Sequence, residues 1–337
     1  MTKRNKVVLA IMVLLGLGIF WYSVRNVSFA VIANDFLHMN WGWLAIACLC
    51  MVISLVLEAW VVKVLIRRQG VAFSMREAIR VPLVEQLFNG ITPFASGGQP
   101  AQLFILLQSG VDGGRAASSL LMKFVVYQAM IVVNFVLCLF LGFHLIADKL
   151  HTLSWLVLMG FLVHFAVILG LLMVMYWYSF TKNMSLLLLK PIKWIRKDLY
   201  KKWSLGLLHK INSFYHEGQQ LKKDWRLLLK MCLITVGQLM FYYVIPYFIL
   251  LALNVEHVDL IMVMTMHVLI VMVISLFPIP GGTGGAEYSF SMIFTTFVHT
   301  NSKLILAMIL WRVITYYLAM FSGMIALLLQ PTQANSE

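Results

Sequence analysis

Charged residues are scarce in this chain. Only 12% of its 337 residues are Asp, Glu, Lys or Arg, whereas 61% are hydrophobic. Soluble globular domains have about 25% charged and about 45–50% apolar residues, so this composition excludes an ordinary water-soluble globule. Several apolar runs reach the roughly 20 residues that cross the hydrocarbon core of a bilayer. We therefore predict an all-α polytopic membrane protein, in which residues 1–337 form a single integral membrane domain.

Acidic residues are the scarcer of the two charged classes. The chain has 13 acids against 26 Lys and Arg, and its formal net charge is +13. The basic residues collect in loops between apolar runs, and no nucleic-acid motif accompanies them. Eleven of them lie between Lys182 and Arg226, among tryptophans and tyrosines, as is typical of a cytoplasmic membrane surface facing anionic headgroups. We predict a basic amphipathic cytoplasmic segment at 182–226 and no nucleic-acid partner.

Cysteine and histidine are too few and too scattered for a metal centre. The four cysteines all lie in apolar runs without a CxxC pair, and none of the nine histidines belongs to an HExxH motif. Zinc sites usually show such spacings. We expect neither a metal nor a cofactor.

Seven apolar runs are predicted to be full spans. Lys3, Arg4 and Lys6 lie at the start of the first run, so the positive-inside rule predicts a cytoplasmic N-terminus. The rule leaves the side of the C-terminus open, because the loop before the last run carries little charge. The predicted spans are 6–22, 42–66, 119–146, 153–178, 227–252, 259–277 and 304–329.

The apolar segment 82–108 cannot be a span under this rule. The basic loop before it and the start of the span 119–146 are both predicted on the cytoplasmic side, so the segment must cross an even number of times. Two full spans would need about 40 residues. Its middle, between Asn89 and Pro100, is rich in residues that break helices. We predict a re-entrant hairpin in the bundle interior, because non-helical backbone at membrane depth cannot face lipid.

A second broken segment follows the run 259–277. Its sequence, FPIPGGTGGAEYSF at 277–290, again interrupts an apolar region with prolines and glycines. Span, broken segment and span thus occur twice, at 42–146 and 259–329, which indicates an internal repeat. Such paired segments are the best sequence indication of a transporter's substrate site. The charges do not decide whether the copies are parallel or inverted.

Four ionisable side chains are predicted inside apolar segments: Glu58, Glu85, Glu287 and Arg312. Each costs at least about 2–3 kcal/mol at the bilayer centre, so each is a candidate functional residue. The alternatives are structural, with Glu287 paired to Arg312 and Glu58 paired to Lys63.

The glycine-rich segments predict a binding site for an anion. Helices that begin after such tips point backbone N–H groups outward, which suits a lipid phosphate, whereas close helix packing is the alternative. No catalytic residue is predicted. The predicted substrate-binding residues are Glu85, Asn89, Thr92, Ser96, Gly97, Gly98, Gln99, Gly281, Gly282, Gly284, Gly285, Glu287 and Arg312.

Polar residues inside the spans have two interpretations. They either line a polar track through the bundle or bond to neighbouring helices. These residues are Gln128, Asn134, Gln238, Tyr242, Tyr316 and Tyr317.

The two broken segments resemble motifs of a known family. NGITPFASGGQPAQLFILLQSGV at 89–111 and the segment at 277–290 are similar to the paired motifs of the lysylphosphatidylglycerol synthase transmembrane family, also called the flippase-like family. That family includes the N-terminal lipid-flippase region of the bacterial multiple peptide resistance factor. The resemblance covers roughly 5–330, and its most specific part is the PxPGGxGxxE pattern that begins at Pro278 and ends at Glu287.

The resemblance implies a lipid translocator. Members are expected to move aminoacylated phosphatidylglycerol, or a related lipid, between leaflets, with anionic membrane lipids as partners. Full-length members add a cytosolic aminoacyl-transferase domain, which we do not expect within these 337 residues. Many members carry Gly-Glu-x-x-Arg in the first motif. Residues 98–102 of this chain lack both charges, so the identity of the lipid does not carry over.

Two other function classes remain open. One is a membrane transferase acting on a lipid, similar to a phosphatidylglycerol lysyltransferase, with Glu85 or Glu287 as general base. The other is an ion-coupled transporter of a small solute, since its broken helices would look the same in sequence. A homo-oligomer and a separate lipid-modifying enzyme remain open as partners.

Overall fold

The computed structural model describes residues 29–149, 151–195, 200, 203–208, 211–212, 215 and 224–329. Within these ranges every regular element is helical, which confirms the all-α polytopic fold. The predicted span 6–22 lies outside the described residues, as does much of the basic segment 182–226. The helices are α1 (Phe29–Leu37), α2 (Trp41–Arg68), α3 (Met75–Ile91), α4 (Gly98–Gln108), α5 (Gly113–Lys149), α6 (His151–Tyr176), α7 (Tyr178–Ile195), α8 (Trp225–Tyr243), α9 (Ile245–Ala252), α10 (Leu260–Ile274), α11 (Gly285–Phe294), α12 (Asn301–Arg312) and α13 (Leu318–Leu328).

Five stretches of the described chain are long and apolar enough to cross a membrane. They are α2, the first part of α5, most of α6, α8 with α9, and α12 with α13, and each matches a predicted span. The run predicted at 259–277 forms α10, which has 15 residues. At 1.5 Å per residue α10 is about 22 Å long, which is less than the thickness of the hydrocarbon core.

Acidic residues outside the spans start several of these helices. Ser74 and Glu77 form a reciprocal capping box at the start of α3. Asp224 accepts a hydrogen bond from Leu227 N at 3.1 Å in α8, and Asp259 accepts one from Met262 N at 2.7 Å in α10. These caps satisfy backbone donors that would otherwise lack partners at the helix ends.

One end of the bundle, the Asn40 end, is defined by contacts between loops. Asn40 N donates to Ala252 O at 2.7 Å, so the start of α2 lies beside the end of α9. Lys303 Nζ donates to Asn254 O at 3.4 Å, which places the start of α12 at the same end.

The opposite end, the Arg68 end, is defined in the same way. Arg68 forms an ion pair with Asp224 at 3.5 Å, which joins the end of α2 to the start of α8. Gln69 Nε2 donates to Ser119 Oγ at 3.0 Å, near the start of α5. Arg80 Nε in α3 donates to Ala326 O in α13 at 3.2 Å, so the last described helix also finishes here.

Two hairpins enter the bundle from opposite ends. Helices α3 and α4 leave the Arg68 end and return to it through tip 1, residues 92–97. Helices α10 and α11 leave the Asn40 end and return to it through tip 2, residues 275–284, and the two tips touch. The repeats are therefore inverted. The span before the second hairpin is α8 with α9, because α10 is the first arm of that hairpin.

The two halves pack closely where α13 crosses α3. A Cβ atom built at Gly323 would lie 2.3 Å from Leu83 O, so only glycine allows this approach. Three of the largest fully buried side chains, Trp311, Phe290 and Phe294, lie around the second hairpin. The rings of Phe290 and Trp311 stack at 5.0 Å between centroids, which fixes α11 against α12.

Candidate functional site

The two tips share one six-residue pattern. Residues 93–98 read PFASGG and residues 280–285 read PGGTGG, so both follow Pro-x-x-Ser/Thr-Gly-Gly. The second and third positions have positive φ in both tips, 52° and 51° at Phe94 and Ala95 and 65° and 62° at Gly281 and Gly282. Residues other than glycine seldom adopt this conformation, because it strains the backbone. Backbone strain of this kind concentrates at functional sites. The two tips thus share a left-handed pair at the same two positions, formed by Phe94 and Ala95 in tip 1 and by glycines in tip 2, and their backbones differ after it.

Tip 1 is held by its own side chains and is open on one side. Thr92 Oγ1 donates to Phe88 O at 2.6 Å and accepts from Gly97 N at 2.9 Å. Asn89 lies directly against Gly98. The predicted residues Ser96 and Gln99 are exposed, and Phe94 is 63% exposed.

The exposure of tip 1 differs from the expected position deep inside the bundle. Polar backbone at membrane depth is costly against lipid tails, so the open side of this tip requires water or a polar ligand. The arms of the hairpin are buried as expected, including Val84 of α3 and Ile105 of α4.

Tip 2 is closed by an ion pair, which we call the arginine cluster (Gly281, Gly284, Glu287 and Arg312). Arg312 Nε donates to Glu287 Oε1 at 2.7 Å, and Arg312 Nη1 donates to Gly281 O at 3.0 Å. Glu287 and Arg312 are 6% and 8% exposed. The pair that the sequence suggested as a structural alternative is therefore present, and it ties α11 and tip 2 to the last span.

The N-terminus of α11 does not offer its first N–H to an outside anion. Gly284 N donates to Glu287 Oε2 at 2.6 Å, so the carboxylate of Glu287 occupies the position predicted for a lipid phosphate. The remaining predicted glycines of this tip serve packing and the turn. Gly282 N donates to Ile279 O at 2.8 Å, and Gly285 lies against the ring of Phe277.

One nitrogen of the Arg312 guanidinium makes no hydrogen bond to the described residues. This nitrogen, Nη2, is buried. The guanidinium lies over the ring of Tyr316, at 5.2 Å from the centroid, and beside Trp311 at 5.4 Å. The helix then widens into a π-helical turn at Val313–Tyr317. Such turns are frequent at functional sites.

Tyr316 joins the two hairpins. Its hydroxyl donates to Gly90 O at 3.0 Å, at the end of α3. Its ring occupies the space that a side chain at Gly281 would need, since a Cβ there would lie 2.4 Å from Tyr316 Cε2. The arginine cluster, tip 2 and the first hairpin therefore share one aromatic contact.

A second buried group, the lysine cluster (Glu58, Glu85, Gln102 and Lys123), lies beside the first hairpin. Lys123 Nζ donates to Glu58 Oε1 at 2.5 Å, to Glu85 Oε2 at 2.7 Å and to Gln102 Oε1 at 3.1 Å. The suggested pairing of Glu58 with Lys63 is wrong, because the partner of Glu58 comes from α5. Glu85 belongs to this cluster and not to the arginine cluster.

Sequence reasoning missed Lys123 and Gln102. Lys123 lies near the start of an apolar run and resembles an interfacial residue. The spacing of Lys123 from the first tip could have identified it. Lys123 follows Pro93 by 30 residues, much as Arg312 follows Pro280 by 32. Each cation comes from the span that follows its hairpin, so the two are counterparts in the inverted repeat.

The predicted polar residues within the spans differ in their contacts. Gln238 Nε2 donates to Glu58 Oε2 at 3.3 Å, and Tyr242 stacks on His267 at 5.0 Å. Asn134 instead donates to Met130 O in its own helix, at 2.7 Å, and Tyr317 is exposed. Gln238 and Tyr242 therefore contact neighbouring helices, which is the second of the two interpretations.

A buried histidine lies beside this region in its neutral form. Trp311 Nε1 donates to His267 Nε2 at 3.1 Å, and an indole nitrogen can only donate. His267 Nδ1 lies 3.2 Å from Tyr243 O and must therefore carry the proton. His267 serves as a fixed aromatic support behind the arginine cluster.

The fold and these clusters define a polytopic helical membrane protein in which two inverted broken-helix hairpins meet over buried ion pairs. The chain belongs to the family described as the lysylphosphatidylglycerol synthase TM region, whose model matches residues 7–323. It is also 27% identical over 317 residues to a UPF0104 membrane protein of Archaeoglobus fulgidus, covering 91% of each chain. These matches confirm the family resemblance and support a lipid-related role in a membrane.

Proposed function

We propose that this chain moves an anionic phospholipid, such as phosphatidylglycerol or an aminoacylated form of it, between the leaflets of a bacterial cytoplasmic membrane. The observation that carries the proposal is the buried, unpartnered Nη2 of Arg312 where the two tips meet. A guanidinium binds phosphate through paired N–H donors, and it stays charged when it is buried. Arg312 would bind the lipid phosphate with the donor that the protein leaves free.

The surroundings of Arg312 suit a headgroup more than an acyl chain. Tip 1 exposes polar groups at Ser96 and Gln99, while Phe94 is the exposed apolar residue of the same turn. A headgroup could reach the tips from this open side while its acyl chains stay in the bilayer. Glu287 would hold Arg312 in place and would attract a cationic aminoacyl group on the lipid.

The distribution of charge supports an orientation for this movement. Arg67, Arg68 and Arg76 lie at the Arg68 end, whereas Glu256 and Asp259 lie at the Asn40 end. By the positive-inside rule, the Arg68 end would be cytoplasmic. The first hairpin would then open from the cytoplasm, the second from outside, and α13 would end on the cytoplasmic side.

The proposal is tested by lipid movement in vesicles that contain the purified chain. Fluorescent phosphatidylglycerol is followed by quenching from outside, so that movement between leaflets is measured directly. Arg312→Lys keeps the positive charge and removes the free Nη2 donor, and we expect at least a roughly tenfold slower rate from the loss of that contact. Arg226→Lys makes the same change at an exposed arginine and should leave the rate unchanged.

The alternatives give different results in the same vesicles. If Arg312→Lys moved lipid at the wild-type rate, the proposed role of Arg312 would be wrong. If Glu287→Gln did so, the proposed role of Glu287 would be wrong. Competition by soluble glycerol phosphate at concentrations that leave the membrane intact would favour a solute transporter. A change in the mass of the lipid would favour the transferase.

A further inference from the structure

The lysine cluster contains more acid than base. Glu58, Glu85 and Lys123 meet with two carboxyl groups against one ammonium, and their side chains are 8%, 13% and 8% exposed. All three protons of the ammonium are used, on Glu58, Glu85 and Gln102. With both carboxyl groups ionised, the cluster would carry an uncompensated negative charge at membrane depth, which is costly.

No further cation faces this cluster in the described part of the chain. The charged or titratable side chains around it are Glu58 of α2, Glu85 of α3, and Lys123 and Tyr127 of α5. Helix α4 presents only the neutral Gln102, and α8 presents the neutral Gln238. A proton on one of the two carboxyl groups would make the cluster neutral.

The geometry allows that proton to be shared. Glu58 and Glu85 approach the same ammonium, with Lys123 Nζ at 2.5 Å from Glu58 Oε1 and at 2.7 Å from Glu85 Oε2. Gln102 is 0% exposed, its Oε1 is held by Lys123, and its Nε2 has no partner among the described residues. That buried donor is a second, independent feature of the cluster, and it can bind a water oxygen that receives the proton.

We propose that Glu58 and Glu85 share one proton on Lys123, so that the lysine cluster is a proton-binding site coupled to the position of the first hairpin. On release, one O–H bond breaks, the electron pair stays on the carboxylate, and the proton passes to water. The two carboxylates then repel. Because Glu58 lies on the span α2 and Glu85 on the hairpin arm α3, this repulsion moves tip 1 relative to the bundle.

The proton site is tested by infrared titration of the full chain in lipid, which does not depend on any transport activity. We expect the C=O stretch of a protonated carboxylic acid at neutral pH and its loss at alkaline pH. Glu58→Gln and Glu85→Gln should each remove it. Glu287→Gln should leave it unchanged, because Glu287 has Arg312 to itself. A spectrum without such a band, or a band insensitive to both substitutions, would overturn the proposal.

Lys123→Met gives a second test by the same infrared titration. Without the ammonium, two ionised carboxyl groups would both lack a cation, so both should be protonated at neutral pH, and the band should grow about twofold because two carboxylic acids contribute to it instead of one. Glu58→Gln with Lys123→Met leaves a single carboxyl group, so its band should equal that of the wild type. An unchanged band in folded Lys123→Met would contradict a shared proton.

The coupling rests on the proposed lipid movement and needs a separate experiment. In vesicles with fluorescent phosphatidylglycerol, an imposed pH gradient should change the rate of the wild type at least severalfold. Glu85→Gln should respond to the gradient no more than protein-free vesicles do. If the wild-type rate were the same with and without the pH gradient, the coupling would be wrong. Absence of any lipid movement would overturn the proposed function together with the coupling, while the infrared titration decides the proton site alone.

Discussion

The lysine cluster and the arginine cluster occupy matching places in the two inverted units, yet they leave opposite groups unsatisfied. Lys123 has three protons and three acceptors, while the acids around it outnumber it. Arg312 faces one acid, and its Nη2 still has no partner among the described residues. An ammonium is a compact charge with three donors, whereas a guanidinium is a planar fork with five. This difference underlies our proposals that the first unit binds a proton and that the second binds an anion.

The tips show a parallel difference. Tip 1 is open and has Phe94 and Ala95 at its two left-handed positions. Tip 2 is closed and has glycines there. The ring of Tyr316 explains the glycine at 281, because it fills the space beside it. Phe94 meets no such neighbour and is exposed. The same left-handed pair thus occurs in two environments.

The largest expected effect on stability comes from breaking the arginine cluster. Arg312→Met leaves the buried carboxylate of Glu287 without its cation, and removing one partner of a buried pair costs about 3–5 kcal/mol. Adding Glu287→Gln should recover part of that loss. Equilibrium unfolding in mixed micelles measures both variants. A double variant as unstable as Arg312→Met alone would show that the ion pair is not the source of the loss.

A smaller effect is expected from exchanging glycine between the tips. Gly281→Ala should lower the free energy of unfolding by about 1–3 kcal/mol, because its Cβ would overlap the Tyr316 ring and its φ is positive. Phe94→Gly should change the stability by less than about 1 kcal/mol, since relief of strain offsets the flexibility of glycine in the unfolded chain.

The control for the glycine exchange is Gly170→Ala in α6. A Cβ atom at Gly170 would have nothing within 4 Å, so this change should raise stability by up to about 1 kcal/mol. Equal losses at 281 and 170, measured by the same unfolding experiment, would contradict the close contact at tip 2.

The smallest effect is expected at the contact between the units. Tyr316→Phe removes the hydrogen bond to Gly90 O and should cost about 0.5–1.5 kcal/mol. Tyr317→Phe, on the neighbouring exposed ring, is the matched control and should cost less than about 0.5 kcal/mol. If the two variants lose the same stability, the hydroxyl of Tyr316 does not connect the first hairpin to the last span.

Much of the architecture could be predicted without coordinates. The apolar runs located the spans because hydrophobicity is a property of consecutive residues. The charges on the flanking loops required a hairpin at 82–108, and the glycines and prolines marked its tip. Glu287 and Arg312 stood out because charges are rare in such runs, and their pairing was among the stated alternatives.

Other features depend on which helices pack together. Glu58 finds its cation at Lys123, 65 residues away in the chain, and not at the nearby Lys63. The run at 259–277 had the composition of a span, but it folds as α10 and turns back after 15 residues because tip 2 meets tip 1 inside the bundle.

The amino-acid sequence by itself determined that this protein lies in a membrane, where most of its helices are, and where helices must break. Each of these follows from local composition and turn chemistry. Tertiary structure decided that the two units are inverted, that their tips touch, and that one cluster has a surplus acid and the other a spare donor. Those outcomes depend on the distances between side chains from different helices, which only the packing of the whole bundle sets.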